Sequence, residues 1–298
     1  MASLAREIRH ASRRLRRAPA FAVTATLTLA LGIGATTAVF TVVNAVLLRP
    51  LPYDHPDELV DLSHTLQLSG ISHVQQSDAS FLLYRRESHA FTGVGAYKDE
   101  AVNLESSEGG GAASERVPAS LISVDVLRLL RIAPLQGRIF LDDDDRFGAA
   151  PVVILSERLW QRRYAGDPLL IGKRISVDGV SREVIGVLRG DFRFPAASTE
   201  LWLPLGLSPA RVEPASFNYA VVARLAPNVT REAATAELTR IMPRIVTEFP
   251  SPLTMSMLEQ VHLRPMVTPL RDIVVGDIGR VLWVVLGTVG FVLLIACA

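Results

Sequence analysis

Apolar and polar positions fall into three regimes along the chain. Ala20 to Leu48 is a run of 29 residues without a charge, ending at Arg49-Pro50-Leu51-Pro52. Val281 to Ala298 is a second uncharged run of 18 residues, VLWVVLGTVGFVLLIACA. Between them, the 232 residues of Arg49–Arg280 mix polar and apolar positions as globular sequence does. A removable secretory signal has an apolar core of roughly 7–15 residues. A membrane span needs about 20 residues for a hydrocarbon core about 30 Å thick. At about 1.5 Å per residue the first run is about 43 Å long as a helix, so residues 20–48 are predicted to span and to protrude. The second run sits at the lower limit of a span. It stops at Ala298 without a flank, and the chain therefore reads as an amino-terminal fragment.

Within the middle segment the periodicity predicts short mixed elements. SFLLYRRESHAF (Ser80–Phe91) reads as a helix capped by Ser80, and Gly93–Leu104 as a strand. Glu108–Gly111 reads as a flexible loop tip. Ser123 is a candidate N-cap for a helix that places Leu127 and Leu130 on one face, and Gly137 turns the chain after it. Pro151–Leu155 is a continuous apolar run that predicts a buried strand. Ser156 then caps a helix carrying Leu159, Trp160 and Tyr164, with Gly166 and Pro168 as stop signals. Asp178-Gly179 between alternating runs predicts a two-residue hairpin. Glu200–Leu205 predicts a strand. Thr230 caps a helix whose stripe is Ala234, Leu238, Ile241, Ile245 and Phe249, with Pro243 placed to split it. Val261–Met266 returns as a strand. Strands and helices mix without sustained βαβ alternation, so the class is α+β: a mixed domain of two subdomains between two long helices.

Charge orients the chain. Residues 1–19 hold six arginines against Glu7, while Asp54, Asp57, Glu58 and Asp61 follow the first run. Basic flanks stay on the cytoplasmic side, so the amino terminus is predicted inside and the middle segment outside. Leu4, Ile8, Ala11 and Leu15 share a helical stripe, which predicts a short basic helix along the inner surface. The net charge of +1 then divides into +5 on the first 19 residues and −4 on the rest, which gives no support for nucleic-acid binding. The single cysteine, Cys297, lies in the second apolar run, so the middle segment is held by its core alone.

No catalytic chemistry is legible. G-x-S-x-G and H-E-x-x-H are absent. His10, His55, His64, His73, His89 and His262 are scattered without metal-ligand spacing. Asp142–Asp145 is contiguous, whereas a calcium loop needs alternating ligands and a central glycine, and it reads as a solvated acidic loop. GDPLLIGKR (Gly166–Arg174) is a near miss to a phosphate loop. Five residues rather than four separate its glycines, Arg174 stands where a hydroxyl would hold magnesium, and helix-to-strand order is the reverse of that required. Catalytic, cofactor-binding and metal residues are therefore read as none, and no cofactor is implied.

A start signal, Thr268-Pro269, predicts a second helix of 30 residues, about 45 Å, from Pro269 to Ala298. Asp272, Asp277 and Arg280 keep its beginning out of lipid. Val39, Phe40, Val43 and Leu47, on the protruding end Thr37–Leu48 of the first helix, are then expected to pack on Ile273, Val274, Ile278 and Val281 as a paired stalk. Gly32, Gly34 and Ala38 allow closer approach lower down. The predicted boundaries are 1–19 (basic segment), 20–48 (first span and stalk), 49–268 (exterior domain) and 269–298 (stalk and second span).

RRLRRAPAFAVTATLTLALGIGATTAVFTVVNAVLLRPLPY, VVILSERLWQRRYAGDPLLIGKRISVDGVSREVIGVLRGDFRFP and VLLIACA resemble, in this order, the first span, the periplasmic core and the second span of MacB/FtsX-type ABC transporter permeases, most closely a subgroup with a duplicated permease unit. The chain departs from the family's pattern at Val126-Leu127, where an aromatic turn is usual, at Arg131, where a glycine is usual, and at Pro243. The resemblance implies a permease subunit in the bacterial inner membrane that is not itself an enzyme and works with a cytoplasmic ABC ATPase on a separate chain. It also implies a homodimer or pseudo-dimer, and a periplasmic or outer-membrane partner. ATPase-driven motion of the long helices would be passed to the exterior domain. The same layout also fits a two-span sensor whose exterior domain binds a ligand and signals inward. An anchored hydrolase fits less well, since no catalytic constellation is present.

Overall fold

The structure, a computed structural model, describes residues 18–44, 51–66, 70–105, 113–249, 254–276 and 278–297. The predicted basic helix in 1–17, the loop tip Glu108–Gly111 and the last residues of the first run, 45–48, lie outside them. Two compact units divide the chain: Leu51–Ile273, and the two apolar ends.

Leu51–Ile273 is built on a mixed sheet, twelve-stranded among the described residues. One half is antiparallel and runs β12 (Leu263–Pro269), β1 (Leu59–Leu66), β11 (Phe217–Leu225), β4 (Phe91–Leu104), β5 (Glu115–Ile122). The sheet continues through β10 (Leu201–Pro204), parallel to β5, then β7 (Val152–Ser156), β9 (Val180–Leu188) and the short β6 (Gln136–Gly137). β2 (Ile71–Val74) pairs with β1, β3 (Gln76–Ser77) with β11, and β8 (Arg174–Val177) with β4 and β9. β12 is an edge, and Pro265 and Pro269 on it remove backbone donors, which blunts it against pairing with another chain.

Side chains alternate across a strand, so one strand feeds two cores. Val60, Leu62, Val221 and Ala223 enter the first, under helices α2 (Asp78–Glu87), α5 (Arg231–Ile241), α6 (Arg244–Glu248) and α7 (Met255–Gln260). Their neighbours Leu59 and Val222 enter a middle core with Ile122, Ile154, Ile185 and Trp202, covered by α3 (Val124–Leu129). Val153, Leu155, Leu201 and Leu203 enter a third, under α4 (Glu157–Tyr164). The middle core receives strands of both halves, so the two expected subdomains share one sheet and one buried face. The departure at Val126-Leu127 is absorbed here, since both side chains are fully buried without the family's aromatics.

Local signals act where they were read. β7 is buried along its whole length, as the run of apolar residues requires for a strand packed on both faces. Ser156 Oγ accepts from Leu159 N at 3.1 Å to start α4, and Ala165 and Gly166, both at positive φ, end it. Asp178 and Gly179 (φ 49° and 73°) make the hairpin between β8 and β9, a turn that requires positive φ at both positions. Pro243 separates α5 from α6. One cap differs: α2 begins at Asp78, capped by Ser77, and Ser80 is the returning member of the capping box rather than the cap.

The helix after the sheet also differs. Thr268-Pro269 is not a cap, because β12 runs through Pro269, which pairs with Val60. A short helix α8 (Leu270–Val275) follows, with Leu270 buried in the middle core. Gly276, at φ 49°, interrupts the helical path, and α9 resumes over Ile278–Cys297. The backbone pairing of Pro269 wins over its local helix-start signal, so no continuous 30-residue helix forms. At the other end, α1 runs Pro19–Val43, and its segment Ala22–Val43 is long and apolar enough to cross a membrane. Val281–Ile295 within α9 is a shorter apolar helix. α1 and α9 pack on each other: the Cα of Gly32 faces Leu293 so closely that an added Cβ would lie 2.6 Å from its Cδ1.

Candidate functional site

The residues flagged in the sequence as near misses are occupied by structural work. In Gly166–Arg174, Asp167 accepts from Leu169 N at 2.9 Å, Lys173 Nζ lies 3.3 Å from Asp167 Oδ2, and Arg174 Nε donates to Ser181 Oγ at 2.9 Å. The stretch leads into β8, so its cations face their own hairpin. The acidic loop is not simply solvated. Asp142 pairs with Arg128 at 2.7 Å, Asp143 with Arg146 at 2.9 Å, and Asp144 with Arg138 and Leu141 N. Asp145 is partly buried, and its two oxygens accept from Val124 N at 2.9 Å and Gly206 N at 2.7 Å. Desolvation is the largest effect on Asp145 and raises its pKa. It caps α3 from 21 residues away, while Ser123, the expected cap, accepts from Ala96 N instead. Among the described residues no group of three or more His, Cys, Asp or Glu side chains is placed to hold a metal ion.

A cleft of about 650 Å³ lies where α2, the start of α3, the acidic loop and the 205–210 loop meet. Its walls are apolar (Phe81, Leu82, Val124, Leu205, Leu207), with Phe147 61% exposed on the lip. Arg85 spans it, 6.0 Å from the Phe81 ring centroid and 2.7 Å from Asp125. The volume is that of a ligand pocket, with apolar walls and the charges of Arg85, Asp142, Asp145 and Arg146 at its edge.

Three buried polar side chains lie on β1: Asp61, Ser63 and His64. Asp61 is 2% exposed beside Ser63, and His73 Nδ1 stands 3.6 Å from its Oδ2. Burial pushes Asp61 up to about 6, partly opposed by His73 and Ser63. His64 is fully buried, with Nε2 3.1 Å from the Tyr84 hydroxyl, and burial pushes its pKa down to about 4. His64 is thus a packing histidine, as its sequence context implied.

Among the described residues Arg224 on β11, which is 4% exposed, is the most heavily bonded side chain. Nε and Nη2 both donate to Leu129 O, at 2.9 and 2.7 Å. Nη2 also donates to Asp54 O at 2.8 Å, and Nη1 to His55 O at 3.1 Å and to Glu58 Oε2 at 2.8 Å. Sequence reasoning passed over it. The available signal was a lone arginine at an inward position of the apolar strand YAVVARLA.

The chain thus combines a mixed α/β domain with two apolar helices, of which α1 is long and apolar enough to cross a membrane. The family follows from comparison: the chain belongs to the MacB-like periplasmic core domain family, whose pattern matches residues 22–241. It is similar in fold to the crystal structure of a domain of a permease protein from Porphyromonas gingivalis, with TM-score 0.53 and 17% identity, over 73% of this chain and 92% of that one. It is also similar to the periplasmic region of MacB from Actinobacillus actinomycetemcomitans, with TM-score 0.50 and 13% identity, over 72% and 90%. No curated protein sequence matches. The resemblance read from the sequence is thereby established as membership: this is a MacB/FtsX-like ABC transporter permease domain.

Proposed function

We propose that the chain is the permease subunit of an ABC-type transporter that passes motion from a cytoplasmic ATPase to an exterior domain. In this reading the amino terminus is cytoplasmic, α1 crosses the bacterial inner membrane, and residues 49–268 lie on the far side. The ATPase is a separate chain, and two permease units act together as a homodimer or pseudo-dimer, with a periplasmic or outer-membrane partner for the exterior domain. The observation that supports the reading best is how the domain is entered and left. Tyr53 packs on the middle core where the domain begins and Leu270 is buried in it where the domain ends, so the first and last residues of the domain share one buried face. A transmitter needs such a connection, because force is lost in a slack linker.

The chain itself hydrolyses no nucleotide in this reading, and turnover by the purified chain that Lys173→Ala abolishes would contradict it. The transmission test uses membranes containing the chain and the ABC ATPase that co-purifies with it. With Cys297→Ser and a single cysteine at Asp143, an impermeant maleimide should label intact spheroplasts. Spin labels on Arg146 and Ala210, either side of the cleft, should change separation when the ATPase is trapped with nucleotide. Protection of Asp143 in spheroplasts, or a separation indifferent to nucleotide, refutes the reading.

A further inference from the structure

We infer that Arg224 is a clasp that couples displacement of the first apolar helix to the width of the cleft, an inference that rests on the transmission reading above. The segment 51–58, which continues from α1 towards β1, forms bends and one 3₁₀ turn and pairs with no strand. A segment of this kind would move independently of the sheet unless side chains held it. Arg224 holds it. A guanidinium has five N–H donors in a planar fork, and here five bonds use them: three to Asp54 O, His55 O and Glu58, and two to Leu129 O. The backbone of Arg224 is fixed between Leu59 of β1 and Gly93 of β4, so the fork stands on the middle of the sheet.

The two groups of acceptors belong to two moving parts. Asp54, His55 and Glu58 lie on the segment that follows α1. Leu129 O is a carbonyl of the last turn of α3, a helix end whose free carbonyls favour a cation. His55 and Arg131 both adopt left-handed backbone, φ 46° and 55°, and so turn the chain around the guanidinium from either side. Arg131 adds a direct ion pair to Asp54. At its other end α3 is the cleft wall: Ser123 and Val124 line the cleft, and Asp145 ties Val124 N to Gly206 N across it. A pull on 54–58 is therefore passed to α3 through the Arg224 guanidinium, with the exposed Arg131–Asp54 pair beside it, and through a turn and a half of helix to the wall of the cleft. Arg224 is a positioning residue in this account and touches no ligand.

The test uses the chain in nanodiscs with spin labels on Arg146 and Ala210 in the Cys297→Ser background, comparing Arg224, Arg224→Lys and Arg224→Gln. Without nucleotide, Arg224→Gln should speed amide exchange in 54–58 and 129–132 by about tenfold or more while β4 and β5 stay protected. It should also broaden the distance across the cleft, with Arg224→Lys intermediate. Unchanged exchange in 54–58, or a cleft distance indifferent to its loosening, overturns the clasp. If protection falls throughout the sheet, Arg224 is merely a folding residue and the inference also fails. With the ATPase present, a nucleotide-driven change in the parent that Arg224→Gln abolishes supports clasp and transmission together. A change that survives in Arg224→Gln overturns the clasp and leaves transmission standing. No change in the parent refutes transmission, and the clasp is then decided by the nucleotide-free comparison.

Discussion

Asp61 and His64 lie three residues apart on β1 yet occupy opposite faces of it, and burial shifts them in opposite directions. Asp61 shares the face of Leu59, with Ser63, His73 and Tyr97 about it, and its pKa rises from 3.8 to about 6. His64 shares the face of Val60 and Leu62, against Tyr84, Phe217 and the backbone of Gln75, and its pKa falls from 6.5 to about 4. The signs follow from linkage. A raised carboxylate contributes stability at low pH that is lost as pH rises through about 6. A depressed imidazole contributes stability at neutral pH that is lost as pH falls through about 4. The two nearly cancel between about pH 4 and 6. Urea unfolding of the parent should therefore vary little across this window from these groups. Asp61→Asn should leave stability falling on acidification, and His64→Gln should leave it rising. Parallel pH profiles for the parent and both variants would refute the compensation.

Arg131 sits at φ 55° with a β-carbon to accommodate. A left-handed residue of this kind costs about 1–2 kcal/mol relative to glycine. The pair it makes with Asp54 is exposed on both sides and contributes little in water. Arg131→Gly should therefore be neutral or stabilising, by up to about 1 kcal/mol, whereas Arg131→Ala should lose the pair and keep the strain. Thermal melts of the three chains in the same detergent decide the order. A glycine variant less stable than the alanine variant would contradict it.

What the sequence made legible was local. The apolar run before Ser156, the turn at Asp178-Gly179, the cap at Thr230 and the break at Pro243 each act within a few residues of themselves, and each element formed where its signal lay. The failures are long-range. Asp142–Asp145 read as solvated because Arg128, Arg138, Val124 and Gly206 could not be seen to converge on it. Pro269 read as a helix start because its pairing with Val60 depends on closure of the sheet over 209 positions of chain. The same limit hid Arg224, whose acceptors lie 95 and about 170 residues away. The two apolar helices were legible as composition alone, while the break at Gly276 needed the fold to place α8 on the middle core.

Asp145 offers a direct measure of such a long-range contact. Its carboxylate satisfies Val124 N, at the fully buried start of α3, and Gly206 N beside the cleft. Removing one acceptor leaves two donors to find others, at about 1–3 kcal/mol for a buried group. Asp145→Ala should lower stability by about 2 kcal/mol, and Asp145→Asn, whose amide oxygen still accepts, by about half as much. Asp143→Ala, which removes only an exposed pair with Arg146, is the control and should change little. The midpoints of urea unfolding give the comparison, and an Asp145→Ala midpoint equal to that of Asp143→Ala would rule out the trans-cap.

Gly32 and Leu293 test the pairing of the two apolar helices. In a bilayer no hydrophobic drive brings helices together, and close packing at small residues carries much of the association. A β-carbon on Gly32 would meet Leu293 Cδ1 at 2.6 Å, while one on Gly34 would meet nothing within 4 Å. The obstructing atom is the end of a flexible side chain, so Gly32→Ala should be tolerated with a small shift. Gly32→Leu should part the helices, since four further atoms cannot share the site. Gly34→Ala should be neutral or slightly stabilising, because alanine exceeds glycine in helix propensity by about 1 kcal/mol. Leu293→Ala should restore packing to the Gly32→Leu chain by returning the lost volume, although alone it leaves a cavity. The readout is disulfide trapping in membranes between cysteines introduced at positions 36 and 289, on the half-buried faces one turn from Gly32 and Leu293, in the Cys297→Ser background. Trapping should fall in Gly32→Leu, recover in Gly32→Leu/Leu293→Ala and persist in Gly34→Ala. Equal trapping in all of them would show that the helices do not meet at Gly32.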